Sequence, residues 1–217
     1  MTEQYPLPLP HRTALGRGDF LVAPANEEAV AWLDRWPDWP APALVLAGPA
    51  GSGKSHLAHV FRARSGAQLL APEGLAEALP NLAVRVAVLD RAERADEESF
   101  LHLYNLLAER RGHLLILARE PPSRWGVALA DLRSRLLAAP AARLAAPDDA
   151  LLAALLVKLF ADRHVRPPAE LVDWLVAHIE RSSEAAAAAV ETLDRAALTA
   201  GRPINVALAR AVLAPGS

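Results

Sequence analysis

Apolar residues arrive along this chain in two rhythms. Nearly continuous runs occupy 43–47, 84–89 and 113–118, and each is followed at once by a breaker or a charge, Gly48, Asp90 or Arg119. Such runs predict strands buried on both faces, as in a parallel sheet covered by helices on each side. A shorter run, Gln68-Leu69-Leu70, predicts another strand. Between the runs the spacing lengthens to three and four. Within 96–110, Phe100, Leu103, Leu106 and Leu107 share one helical face, and Gly112 ends the pattern. Helices are also predicted from the end of the glycine-rich segment to about Arg64, around 129–137, and over 27–33 with Asn26 as cap. An edge strand is expected near 143–145. Trp32, Trp36 and Trp39 read as packing residues, or else as a surface for a nucleotide base or a partner.

The rhythm changes after Pro147-Asp148-Asp149. From there the period is helical throughout. Asp148 can cap a helix running toward Arg163, Pro167-Pro168 opens a second over 169–181, an alanine-rich third covers about 183–199, and a short last helix follows Pro203. The expected organisation is an extended arm over 1–18, a phosphate-loop α/β core over 19–146, and a small helical lid over 147–217.

Composition narrows the class. The chain has 217 residues, 53% of them apolar, enough for one α/β domain and a small appendage. Cysteine is absent, so disulfides and thiolate metal sites are excluded. The start, Met1-Thr2-Glu3-Gln4, is not a basic leader, and no apolar run reaches membrane-spanning length. A cytoplasmic protein with no membrane partner is the expectation. The net charge of −2 gives no general reason to coat nucleic acid. Lysine occurs only at Lys54 and Lys158, so arginine placement carries more meaning than arginine number.

The chemistry concentrates in Gly48-Pro49-Ala50-Gly51-Ser52-Gly53-Lys54-Ser55, set between a predicted strand and a predicted helix. That context makes it a phosphate loop: backbone N–H groups and the helix N-terminus surround phosphate, Lys54 reaches the outer phosphates, and Ser55 ligates magnesium. Asp90, ending a strand, has the chemistry to organise the same magnesium, although a strand-ending cap is the plain alternative. In many ATPases of this architecture an acid follows that aspartate. Here the position holds Arg91, which cannot take a proton from water, and efficient hydrolysis in isolation is not expected. Glu93 could substitute, or belong with Arg91, Arg94, Asp96, Glu97 and Glu98 to a solvated charge cluster. His56 and His59 lie one helical turn apart without evident further metal ligands. Arg133 and Arg135 sit near the end of the core, where either could serve a neighbouring molecule's phosphate or remain surface charge. The proline-rich arm 4–10 is extended, either to dock on a partner or as a tail.

Taken in order, the phosphate loop, Asp90, the segment 98–105, Glu120-Pro121-Pro122 and the segment 129–136 resemble the AAA+ domain of the DnaA/Hda group of bacterial replication proteins, in an alphaproteobacterial-like version lacking the DNA-binding C-terminus. The resemblance implies a regulator rather than an initiator. It implies docking of the arm to the DNA polymerase sliding clamp through Gln4, Tyr5, Leu7, Pro8 and Leu9, with Tyr5 where leucine or phenylalanine is usual. It also implies ADP or ATP with Mg2+ as cofactors, the metal on Ser55 and Asp90. The implied nucleotide-binding residues are Phe20, Leu21, Val22, Asn26, the loop 48–55, His56, Asp90 and Arg181. Arg135 matches an arginine finger that promotes hydrolysis of ATP held by DnaA, the second partner, with DNA met indirectly and self-association allowed. Arg119 stands at a sensor position that is usually acidic. Glu184 stands where the lid's sensing arginine is usual, leaving Arg181 to replace it. The alternatives are an AAA+ adaptor or loader that binds DNA directly, and a free-standing nucleotide-hydrolysing enzyme.

Overall fold

A computed structural model describes residues 21–213. They divide into two compact units, one reaching to Ala145 and one beginning at Ala146. In the first unit five parallel strands, β1 (Ala43–Ala47), β2 (Gln68–Leu70), β3 (Val86–Leu89), β4 (His113–Ala118) and β5 (Ala141–Arg143), stand in the order β2-β3-β4-β1-β5. Five helices accompany them: α1 (Glu27–Asp34), α2 (Lys54–Ser65), α3 (Leu75–Ala78), α4 (Glu97–Glu109) and α5 (Ala130–Ala138).

The apolar runs are continuous because alternate residues feed different cores. Ala43, Val45, Ala87, Leu89, Leu114 and Ile116 face a cluster completed by Phe100, Leu103 and Leu107 of α4 and Leu132 and Leu136 of α5. Leu44, Leu46, Val88, Leu115 and Leu117 face the other cluster, with Leu33 of α1 and Leu57 and Phe61 of α2. Each fully buried Leu or Phe contributes about 1.5–3 kcal/mol relative to exposure. Trp39 stacks on Phe61 at 5.6 Å between centroids, and Trp36 meets the same ring edge-on at 5.7 Å. The packing role expected of these tryptophans is what the structure shows.

Several boundaries move for local reasons. The strand expected over 84–89 begins at Val86, and the helix expected over 96–110 spans Glu97–Glu109 because Asp96 caps it, accepting from the Ser99 N–H at 2.9 Å. Gly112 directly precedes β4, and a Cβ there would overlap the Arg85 carbonyl. The edge strand lies two residues earlier than expected, with Ala141–Arg143 paired to Val45–Ala47. Asn26 corrects a sequence expectation. It precedes α1, but its side chain makes no helix cap. Its Oδ1 accepts from the Ala23 N–H and its Nδ2 donates to the Leu21 carbonyl, both at 3.0 Å, so it ties down the chain before the helix. Helix α3 was not foreseen.

The second unit contains α6 (Asp149–Ala161), α7 (Ala169–His178), α8 (Ser183–Ala200) and α9 (Val206–Leu213) around its own core. Asp148 caps α6 through the Leu151 N–H at 2.8 Å, and Ser182 caps α8 through the Ala185 N–H at 3.0 Å. Both satisfy N–H groups that a helix start leaves open. Helix α7 ends at His178, short of 181, because Ile179 is extended. Buried Ala186 and Ala189 let α8 approach its neighbours closely. Among the described residues no helix is long and apolar enough to cross a membrane.

Candidate nucleotide site

The carboxyl ends of all five parallel strands lie along one edge of the sheet. Strand β1 sits between β4 and β5, where the strand order reverses, and such a switch point opens a crevice above the sheet. The loop 48–53 leaves β1 there and turns into α2. Its curvature needs glycine: Gly51 and Gly53 have φ of 73° and 92°. Gly48 is required for space, since a Cβ would overlap the Leu144 carbonyl oxygen. The Gly48 N–H donates to the Ala118 carbonyl at 3.1 Å and fastens the loop to the end of β4. Helix α2 starts on Gly53 with no side-chain cap, so its N-terminus opens directly from the loop. Lys54 Nζ donates to the Gly48 carbonyl at 2.6 Å and the Pro49 carbonyl at 2.7 Å, placing an ammonium within the curl. Ser55 and His56 are exposed in the first turn of α2.

A cavity of about 630 Å³ opens beside this loop, within the size range of small-molecule sites. Gly48, Pro49 and Ala50 form one wall, Pro24 and Ala25 another, and Leu144 and Ala145 a third. The Ala145 N–H donates to the Ala25 carbonyl at 3.0 Å, closing the last two walls against each other. Leu21 and Val22 lead into that wall, with the Asn26 side chain bonded to Leu21 and Ala23 on either side of Val22. Arg119, Arg124 and Arg143 also line the cavity, with Glu120 paired to Arg124 at 3.0 Å. Arg124 and Arg143 were not singled out by sequence reasoning. Arg143 closes β5 and Arg124 follows Pro121-Pro122, positions that carry a signal only once the strand order is known.

The end of β3 is arranged differently. Asp90 Oδ1 accepts from the Arg91 N–H at 2.9 Å, and Arg91 Nε lies 4.0 Å from Oδ2. Arg91 has φ of 47°, and its guanidinium reaches Glu73 at 2.9 Å. Glu93 is less solvated than its charged neighbourhood suggests. Its Oε1 accepts from the Arg119 N–H at 3.4 Å, and its Oε2 is buried without a hydrogen-bond partner among the described residues. Glu97, read from the sequence as surface charge, accepts from the N–H groups of Ala128 at 2.9 Å and Leu129 at 2.7 Å. It thereby sets the start of α5, two turns before Arg135.

Arg135 makes a two-point contact with Asp131, Nε to Oδ1 at 3.2 Å and Nη2 to Oδ2 at 3.3 Å, and lies over the Tyr104 ring at 5.5 Å. Burial pushes the Tyr104 hydroxyl pKa up, and the Arg135 charge pulls it partly back. The Arg135 side chain keeps 36% exposure and takes no part in lining the cavity. Arg133 donates to the Val127 carbonyl at 3.5 Å. In the helical unit Arg181 pairs with Asp149 at 2.8 Å, while Glu184 is exposed in the first turn of α8. Phe20 and the arm residues Gln4, Tyr5, Leu7, Pro8 and Leu9 lie outside the described residues.

The donor set fits a nucleotide: glycines shape the loop, the Lys54 ammonium lies within it, a helix N-terminus follows it, and a cavity adjoins it. For magnesium the chain offers the Ser55 hydroxyl and the Asp90 carboxylate. No group of three or more His, Cys, Asp or Glu gathers for a metal among the described residues, so phosphate and water would complete any shell.

The architecture has close counterparts. Domain III of the Thermotoga maritima replication initiation protein DnaA superposes with a TM-score of 0.79 at 17% identity, over 93% of this chain and 96% of that one. The fold is that of an AAA+ protein. AMPPCP-bound DnaA from Aquifex aeolicus follows at TM-score 0.66 and 14% identity, over 81% of this chain and 63% of that one. The Thermotoga maritima RuvB Holliday junction branch migration motor gives 0.62 at 17% identity, over 79% and 61%. The chain thus spans about three fifths of the last two. No family profile matches the sequence, and no curated protein does. At these identities the AAA+ likeness is one of fold.

Proposed function

We propose that this protein is a nucleotide-bound, Hda-type regulator, tethered to the sliding clamp, that stimulates ATP hydrolysis by the initiator DnaA in trans and so limits re-initiation. The observation carrying the reading is the separation of two chemistries on one core. The phosphate loop and its cavity can hold ADP or ATP through loop N–H groups and Lys54, with the Ser55 hydroxyl and the Asp90 carboxylate, already bonded to Arg91, as the groups magnesium would meet. The exposed guanidinium of Arg135 stands outside that cavity, where it can serve a neighbour's site rather than its own. Bound magnesium would screen phosphate charge, and the chain's own residues bind and orient.

Intrinsic turnover is weak in this reading. Arg91 cannot accept a proton, and Glu93 has one oxygen buried and the other on the Arg119 N–H. The strongest chemical contribution is then in trans, where a guanidinium on a transferring phosphoryl group is worth about 10³–10⁵ in rate. Engagement requires Arg135 to exchange its Asp131 contact for the partner's phosphate. Residues 1–18 supply the clamp arm, 19–146 the nucleotide core and 147–217 the lid, with Arg181 its sensing cation.

The test is a reconstituted assay of DnaA ATP hydrolysis with clamp-loaded DNA and this protein in its ADP or ATP form. Arg135→Ala is expected to remove the stimulation, by a factor of about 10³ or as much as the assay resolves, while melting and nucleotide binding stay as in the parent. Removal of residues 1–9 is expected to abolish clamp binding. Normal stimulation by Arg135→Ala would refute the finger assignment, and salt-dependent binding to duplex DNA without clamp would favour a DNA-binding adaptor or loader.

A further inference from the structure

Arginines line the phosphate-loop cavity from both sides of β1. Arg119 follows β4 directly, Arg143 closes β5, and these two strands flank β1. Arg124 joins them, and the Glu120 carboxylate paired with it is the acidic group on the lining. Three positive charges against one negative leave the cavity wall with an excess of two. Lys54 adds an ammonium within the loop itself.

The acid that would organise a metal is placed in the opposite sense. Asp90 Oδ1 already accepts the Arg91 N–H, and the Arg91 guanidinium stands 4.0 Å from Oδ2. Glu73 meets that guanidinium from its far side at 2.9 Å. A divalent cation arriving at Asp90 meets a neighbouring positive charge and must share the carboxylate with a bound donor. Phosphate oxygens arriving at the cavity meet guanidinium forks, which match their geometry and hold charge without a metal.

We propose that the arginine-lined cavity binds the phosphate groups of a nucleotide without a divalent cation, with Arg119 and Arg143 carrying the charge that magnesium carries in other phosphate-loop sites. The proposal rests on the nucleotide-binding reading above and deepens it. Its consequence is a nucleotide whose retention does not depend on the metal that hydrolysis would require.

The full chain is titrated with fluorescent mant-ADP and mant-ATP, in magnesium and in EDTA. The expected dissociation constants in the two buffers agree within about threefold, where a tenfold change would mark loss of one charge-assisted contact. The double variant Arg119→Gln, Arg143→Gln, checked by circular dichroism and melting, is expected to bind about tenfold or more weakly in EDTA and to recover most of that loss in magnesium. Arg119→Lys with Arg143→Lys retains the charge and is expected to keep most of the EDTA binding. A parent protein that binds in magnesium and loses tenfold or more in EDTA overturns this inference and leaves the nucleotide reading standing. So does a double glutamine variant that binds in EDTA as the parent does. Failure to bind either nucleotide in either buffer overturns both readings together.

Discussion

The exits of β1 and β3 lie on the same edge of the same sheet, yet they follow opposite rules. At β1 the loop suits an incoming anion: left-handed glycines at 51 and 53, a helix start without a side-chain cap, and an ammonium inside the curl. At β3 the polar groups are spent on one another, Asp90 on Arg91, Arg91 on Glu73, and Glu93 on the Arg119 amide. A nucleotide site needs two separable things, a place for phosphate and a device for water. This chain builds the first from backbone and converts the second into cross-strand fastening. Under the proposed function, a nucleotide held at β1 would be kept as part of the structure rather than turned over.

The most severe test of the β1 side is Lys54→Ala. It removes the loop's ammonium, and two lost charge-assisted contacts predict about a hundredfold weaker nucleotide binding, read by the same fluorescence titration. Undiminished binding would mean that the loop is a turn and nothing more. At the β3 side, Arg91→Glu restores an acid beside Asp90, and a positioned base is worth about 10²–10⁴ in favourable geometry. Because Glu73 then faces a like charge, the variant is best combined with Glu73→Gln. A rise in intrinsic turnover of about tenfold or more is expected, against the Lys54→Ala background as control. No rise would place the deficit elsewhere than at position 91.

The contrast also explains what the sequence disclosed. Strands β1, β2 and β4 and the phosphate loop are local features: a run of apolar residues fed to two cores, and glycines at the spacing that a tight anion loop demands. The Asp148 cap is equally local. Glu93 and Glu97 are not, because their partners are the Arg119 amide and the Ala128 and Leu129 amides, in β4's exit and ahead of α5. A carboxylate with a distant backbone partner looks like surface charge until the chain is folded. Asn26 misled for the same reason in reverse, since its residue type suits a cap but its side chain turns back to Leu21 and Ala23. The gathering of Arg119 and Arg143 required the strand order, which no local pattern contains.

Glu93 sharpens the comparison further. If its carboxylate only fastens β3 to β4, then Glu93→Ala leaves nucleotide turnover within about twofold of the parent and lowers stability by about 1 kcal/mol or less, the worth of one hydrogen bond. Chemical denaturation and single-turnover hydrolysis read the two quantities separately. A large fall in turnover with Glu93→Gln, which keeps an oxygen for the Arg119 N–H, would instead make Glu93 the water-activating group.

The smallest effect lies at the other end of β4, where the sheet has no part in phosphate chemistry. His113 packs edge-on against Trp39 at 5.5 Å and Trp36 at 6.1 Å. Burial lowers its pKa below the ordinary 6.5, against the opposing pull of the Pro37 carbonyl and the Asp38 charge. Between the lowered value and 6.5 the unfolded chain binds more protons than the folded one, so stability must rise with pH in that window. The contribution is complete above the unfolded value and is lost as pH falls through 6.5 toward the folded value. Thermal melts at successive pH values are expected to show this slope in the parent and to lose it in His113→Phe, which keeps an aromatic ring but cannot titrate. Nucleotide affinity, governed from the opposite edge of the sheet, should not follow the same slope. If it does, the two ends of β4 are coupled, and the strand that fastens the phosphate loop at Ala118 also reports the protonation of His113.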